Sequence, residues 1–96
     1  MVEYEWDNAK AAENLRKHRV DFVDAIAAIE DPDRLESLDL KFNYGEERVE
    51  IIGMANGRLL FVVVTLRGDR VCRIISARRA KRHEQDWYYT GDRAAR

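Results

Sequence analysis

Lys17, His18, Glu47, Arg48, Arg78, His83, Glu84 and Tyr88 are the side chains of this 96-residue sequence that can move protons or steady a phosphate without a cofactor. Such a set fits metal-free RNA cleavage. A base takes the 2′-hydroxyl proton, the freed oxygen attacks the adjacent phosphorus, a cation steadies the added negative charge, and an acid protonates the departing 5′-oxygen. General acid–base help is worth about 10²–10⁴-fold in rate. An arginine aimed at the developing charge contributes about 3 kcal/mol more. Other chemistries find no support in the spacing. Gly45, Gly53, Gly57, Gly68 and Gly91 are scattered and make no phosphate-cradling loop. His, Cys and carboxylates show no metal-ligand spacing, and a single Cys with two His makes no structural zinc site. Ser76 lacks the neighbours of a nucleophile elbow.

Each candidate also has a purely structural reading. His18 falls at a helix end, where a cation opposes the negative pole of the helix dipole. Glu47 and Arg48 are adjacent on a predicted strand, so they point to opposite faces unless the strand is bulged there. Glu84 has arginines nearby with which to pair. Trp6 and Trp87 suit a core or an interface better than a platform for stacked bases.

The elements that must position these groups centre on Arg48 to Ala77, which reads as three antiparallel strands. Asn56-Gly57 predicts a type I′ hairpin turn, because both residues tolerate positive φ. Arg67-Gly68-Asp69 marks a second turn. Leu59 to Leu66 is apolar on both faces except at Thr65, as suits a central strand covered on both sides. The next run looks half-exposed, with Val71, Ile75 and Ala77 sharing a parity with Arg73. Arg78-Arg79-Ala80-Lys81-Arg82-His83 then predicts a basic helix reaching about Tyr89.

Upstream, Tyr4-Glu5-Trp6 is a short strand. Asp7 is placed to cap a helix over Asn8–His18 with an apolar stripe at Ala9, Ala12 and Leu15. Asp21 caps a second helix over Phe22–Ile29, apolar nearly all round and so expected between the sheet and the first helix. Asp31-Pro32-Asp33 stops it. Leu38, Leu40, Phe42 and Tyr44 alternate with polar residues and predict a strand. The order is β-α-α-β-β-β-β-α. It implies an α+β fold, a compact antiparallel sheet with helices on one face. Residues 1–90 are expected to form one domain and residues 91–96 a frayed tail.

Composition narrows the setting. Cys72 is the single cysteine, so no intramolecular disulfide forms, which fits a reducing compartment. No apolar run approaches the roughly 20 residues that span a bilayer. The N-terminus shows no signal-peptide pattern, and a cytoplasmic location is expected. Residues 1–50 hold 14 Asp and Glu against 7 Lys and Arg, and residues 51–96 hold 4 against 10, so a half of charge −7 precedes a half of charge +6. The basic half is the part suited to a nucleic acid.

Several short motifs occur in order over residues 4–89. Trp6-Asp7-x-x-Lys10, then Asn14-x-x-Lys17-His18-x-Val20-x-Phe22 with Ala25, resembles the N-terminal signature of the BrnT family. Gly45-Glu46-Glu47-Arg48, Ile52-Gly53 and Gly57-Arg58-Leu59-Leu60-Phe61-Val62-Val63 are similar to its middle part. Ile74-Ile75-Ser76-Ala77-Arg78-x-Ala80, with Glu84 and Tyr88 beyond, is the most specific piece. The resemblance implies a small bacterial RelE-like ribonuclease, the toxin of a type II toxin–antitoxin system, which cleaves RNA and arrests translation and growth. It implies a BrnA antitoxin with a ribbon-helix-helix part, and operator DNA met only through the complex. The residue pattern itself leads to the expectation of no cofactor, no metal and no membrane.

Under that resemblance Arg48 and Arg78 would contact the scissile phosphate. Lys17, His18, Glu47 and Glu84 are the acid–base candidates, and Tyr88 is a positioning hydroxyl. Lys10, Arg79, Lys81 and Arg82 would bind flanking phosphates. Two positions depart from the family pattern. Arg19 stands where glycine is common, which burdens a left-handed helix cap. Lys81 stands where threonine is frequent. The competing reading is a non-catalytic module that binds nucleic acid or antitoxin through the same basic stretch.

Overall fold

Two aspartates open the helical part of the chain. In the computed structural model, which describes residues 2–39 and 46–91, the Asp7 carboxylate accepts the Lys10 N–H at 3.0 Å and Asp21 accepts the Val23 N–H at 3.0 Å. These side chains satisfy N–H groups that a first helical turn leaves without partners. They start α1 (Asn8–His18) and α2 (Phe22–Ile29). Around these lie β1 (Glu3–Glu5), β2 (Leu35–Asp39), β3 (Arg48–Ala55), β4 (Arg58–Arg67), β5 (Val71–Arg79) and α3 (Arg82–Thr90). Leu40, Phe42, Tyr44, Gly45 and the tail from residue 92 lie outside the described residues; the strand expected from Leu38 begins at Leu35.

The five strands form one sheet in the order β1-β5-β4-β3-β2. β4 is central, and Asn56 (φ 53°) with Gly57 (φ 81°) makes the positive-φ turn that joins it to β3. The sheet is mixed, not purely antiparallel, because β1 runs parallel to β5. Two apolar clusters cover the two faces of β4. Leu60, Val62 and Val64 pack with Phe22, Ala25 and Ala28. Leu59 and Phe61 pack with Ile52, Ala80 and the partly buried Trp87 and Tyr88 of α3. Helices therefore lie on both faces, not one. The reason is at the end of β5. Arg78 and Arg79 pair with Phe61 and Leu60, and the Ala80 N–H reaches the Leu59 carbonyl at 2.9 Å. The strand thus runs through the first half of the basic stretch, and only then does the chain turn onto the second face.

α2 sits directly on the sheet, chiefly on β3, with Val23 59 % exposed, so it is not sandwiched beneath α1. Gly53 permits this approach: a Cβ there would lie 2.1 Å from the Ala28 carbonyl oxygen. α1 packs against β5 and turns a different side inward than the apolar stripe suggests. Ala9, Ala12 and Leu15 are exposed, and the buried residue is Asn14, 7 % accessible. Its Nδ2 donates to the Ala77 carbonyl at 2.7 Å and to the Val20 carbonyl at 3.0 Å, while its Oδ1 accepts the Ala77 N–H at 3.1 Å.

β1 serves the outer edge of β5 only at Val71, Cys72 and Arg73; Asn14 serves it at Ala77. Between them the register slips. Val63 pairs with Ser76 but Val64 with Ile74, leaving Ile75 as the extra residue of a bulge. The bulge shifts the parity, which is why Cys72, Ile74 and Ala77 are all buried on one side of a strand that reads as half-exposed.

α1 ends on Arg19, held left-handed at φ 59°, ψ 30°, with its N–H bonded to the Leu15 carbonyl. That conformation costs a residue with a Cβ about 1–2 kcal/mol, against up to about 1 kcal/mol that glycine loses through extra freedom in the unfolded chain. Arg19→Gly is therefore expected to raise stability by about 0.5–1 kcal/mol in urea denaturation; a loss of stability would show that the Arg19 side chain holds α1 in some other way.

Candidate active site

The carboxylate of Glu84 faces the guanidinium of Arg78 as a fork, Oε1 to Nη1 and Oε2 to Nη2, both at 2.8 Å. Oε1 also accepts the Lys81 N–H at 2.7 Å, so Glu84 closes the first turn of α3 while it holds Arg78. A lysine side chain has no acceptor with which to cap that turn, and the carboxylate three residues on does the work instead. The Arg78 carbon Cζ stands 4.2 Å from the centroid of the Phe61 ring. Burial alone would raise the Glu84 carboxyl, which is 4 % accessible, but the Arg78 and Lys81 hydrogen bonds outweigh it and hold the group below the ordinary glutamate range. Arg78 is thus fixed in orientation on the face of the sheet that carries α3.

Arg48 shares that face. β3 pairs Glu50 with Val63 and Ile52 with Phe61, and Phe61 pairs with Arg78, so the even-numbered residues of β3 and Arg78 lie on one side. The Arg48 side chain is 24 % exposed and lies 3.9 Å from Glu46. Glu47 lies just before the strand and is exposed, and its carbonyl accepts the Thr65 hydroxyl at 2.7 Å. β3 and β4 pair without a break from Val49 onward, so the bulge that would align Glu47 with Arg48 is absent from this pairing.

Lys10, Lys17 and His18 come together on α1. With Glu13, Asn14, Ile75 and Ser76 they line a cleft of about 270 Å³ beside the bulge of β5. Asn14 and Ser76 line this cleft as well; both lie within the motifs, but neither is among the acid–base candidates. The cations of α1 and Arg78 of β5 are joined through the Asn14–Ala77 hydrogen bonds, one residue away from Arg78.

The remaining candidates scatter. Tyr88 donates its hydroxyl to Asp31 Oδ2 at 2.6 Å, and the same oxygen accepts the Met54 N–H at 2.7 Å. This hydrogen bond, with some burial, pushes the Tyr88 phenol up to about 12. Asp31 reads in sequence only as a helix stop; here it ties the end of α2, β3 and α3 together. Arg79 lines a separate recess with Gly57, Arg58 and Tyr89. Lys81, Arg82 and His83 are exposed at the start of α3, where His83 packs edge-on to Trp87 with 4.8 Å between ring centroids. A larger cleft of about 640 Å³, floored by Val49, Ile51, Val64 and Cys72, contains none of the candidates. Among the described residues no three His, Cys, Asp or Glu side chains gather as a metal site needs, and no helix is long and apolar enough to cross a membrane.

The lowered carboxyl of Glu84 has a consequence for stability. A depressed folded value stabilises the fold at pH above the ordinary glutamate range, and the contribution fades as pH falls through the folded value. Glu84→Gln is expected to cost about 2 kcal/mol near neutral pH. The gap between variant and wild type should narrow below about pH 4. Urea denaturation across that range checks this; a gap independent of pH would mean that the ion pair contributes nothing.

The model of the BrnT family, described as the ribonuclease toxin of a type II toxin–antitoxin system, matches residues 6–84. The crystal structure of the Brucella abortus ribonuclease toxin BrnT superposes with a TM-score of 0.63 and 24 % identity, covering 85 % of this chain and 100 % of that one. At that identity the likeness speaks for the fold. No curated protein matches the sequence. With most of its length matched by the family model, the chain belongs to the BrnT family of ribonuclease toxins of type II toxin–antitoxin systems.

Proposed function

We propose that this chain is a metal-independent, RelE-like endoribonuclease whose active site wraps the outer edge of β5, and that a BrnA-like antitoxin with a ribbon-helix-helix part neutralises it. The observation that supports this most is the juxtaposition on one strand of an oriented arginine, Arg78 on Glu84, and a cation-lined cleft, Lys10, Lys17 and His18. RNA crosses the strand edge between them. Arg78 steadies the scissile phosphate, and Arg48, in the row of Thr65 and about 16 Å from Arg78 by strand register, holds the backbone beyond it rather than sharing that phosphate. The 2′-oxygen attacks phosphorus as its proton passes to a base, the bond to the 5′-oxygen breaks, and an acid returns a proton to that oxygen. The products are a 2′,3′-cyclic phosphate and a 5′-hydroxyl.

His18 and Lys17 are the groups in the cleft able to handle these protons, and Glu47 is the exposed carboxylate nearest Arg48 in sequence. Glu84 acts as a positioning residue, because its oxygens are occupied by Arg78 and the Lys81 N–H and it is held ionised. Tyr88 anchors α3 rather than moving a proton, since its hydroxyl is committed to Asp31. Lys10, Arg79, Lys81 and Arg82 contact flanking phosphates, a contribution that weakens as salt rises. An acidic antitoxin segment laid on the same surface would cover the site, and operator DNA is met only through that complex.

One observation favours a second reading. The Arg78 fork is already filled by Glu84, as in a structural ion pair, and the basic surface then serves only to bind RNA or antitoxin. Cleavage of RNA in EDTA by wild type and Arg78→Ala, with and without antitoxin, separates the two. The expected result is metal-free cleavage that the antitoxin blocks and that Arg78→Ala lowers by about 10²–10³-fold, with cooperative unfolding retained. Near-wild-type cleavage by the variant would remove Arg78 from the chemistry. No cleavage of free RNA or of RNA on translating ribosomes would leave the binding module.

A further inference from the structure

A second cluster of arginines lies on the same sheet face, outside the groups considered so far. Glu5 of β1 sits beside Arg73 of β5 in the parallel register, and its Oε2 accepts Arg73 Nη1 at 2.6 Å and Arg67 Nη1 at 3.0 Å. Glu5 with Arg73 and Arg67 makes a trio of charge +1; the Asp7 carboxylate also stands near Arg73 but is committed to the Lys10 N–H. The side chains are reachable, Arg73 being 31 % and Arg67 60 % exposed. As a tie for β1 the arrangement is excessive, because an exposed ion pair is worth only about 0–1 kcal/mol and the strand is already bonded along its length to β5. A fork of donors held in place by a carboxylate, with its outer edge toward solvent, suits a phosphate.

The placement relates this cluster to the proposed site. Arg73 pairs with Thr65 of β4, and the Thr65 hydroxyl reaches the Glu47 carbonyl just before Arg48. Arg48 and Arg73 thus flank Thr65 on one face, about 10 Å apart across two strand spacings. Arg78 lies farther along β5, about 13 Å away once the bulged residue is discounted. α3 covers Ile52, Leu59 and Phe61 but not the Thr65 end of this face. Arg73 is too far from Arg78 to share its phosphate.

We infer that Arg73, with Arg67 beside it and Glu5 orienting both, is a second phosphate subsite that grips the RNA backbone beyond the point of cleavage. The inference rests on the ribonuclease reading and deepens it: the substrate is a strand longer than a dinucleotide, laid along β5. Arg73 is a binding residue, and Glu5 a positioning one.

Two measurements test it. In cleavage, Arg73→Ala should raise KM for an oligoribonucleotide roughly tenfold with kcat little changed, and leave kcat/KM for a single-phosphate dinucleotide unaltered. Arg78→Ala should lower both. In binding, a 2′-O-methyl oligonucleotide that cannot be cleaved is titrated over a range of salt. Arg73→Ala should flatten the slope of log K against log salt by about 0.7, one single-strand phosphate contact. Glu5→Gln keeps an oxygen that can accept from Arg73 and Arg67 and so keeps them oriented, while it removes a negative charge, and should therefore hold or raise affinity; a lower affinity in this variant would mean that the pair serves only the fold. An equal KM shift on the dinucleotide, or an unchanged salt slope, would overturn the subsite. Binding without cleavage in wild type would end the ribonuclease reading while the slope still decided the subsite. Failure of wild type to bind RNA would end both.

Discussion

The Asn14 carboxamide closes the outer edge of β5, and the candidate site depends on that closure. A strand edge with no neighbour leaves N–H and carbonyl groups without partners. Burying such groups unsatisfied costs about 1–3 kcal/mol each. Asn14 supplies a donor and an acceptor to Ala77 in the manner of a neighbouring strand, and its second donor goes to Val20. The same three bonds fasten α1 to the sheet and fix the chain where it leaves that helix. They therefore set where Lys10, Lys17 and His18 stand relative to Arg78, the residue after Ala77.

On the other side of the strand, Glu84 plays a matching part. It fixes Arg78 and the first turn of α3 together, so the corner between β5 and α3 and the orientation of the guanidinium are one event. Asp31 completes the frame at the far end of α3 by taking the Tyr88 hydroxyl and the Met54 N–H. Two buried carboxylates and one buried amide thus carry the geometry, while the exposed cations of α1 and β5 are left to meet a polyanion.

Much of this was legible in the sequence where local chemistry decides. Asp7 and Asp21 cap the helices whose starts they mark, Asn56-Gly57 turns the hairpin, and Leu59 to Leu66 lies at the centre of the sheet. The rest depends on contacts remote in sequence. Asn14 is polar, so an apolar stripe on α1 passes it by; it is buried because Ala77, 63 residues away, needs it. The bulge at Ile75 reverses the parity of β5 and hides which of its residues are inside. Arg78 and Arg79 read as the start of a basic helix because nothing local distinguishes them from Lys81 and Arg82; pairing with Phe61 and Leu60 holds them in the strand. Glu84 was legible as a partner for a neighbouring arginine, and Tyr88 as a hydroxyl with a task, but the identity of each partner was not.

Membership in the BrnT family supplies the class of chemistry, and the arrangement around β5 supplies a location for it. On the proposed reading Lys17 and His18 of α1 and Arg78 of β5 act on one phosphate as a unit. A double-mutant cycle on kcat/KM with His18→Ala, Arg78→Ala and the double variant tests this most directly. Residues that work as a unit are strongly non-additive. The double variant is then expected to cleave RNA about as fast as the slower single variant. Losses that multiply in full would place His18 and Arg78 in separate roles and contradict a single site across the edge of β5.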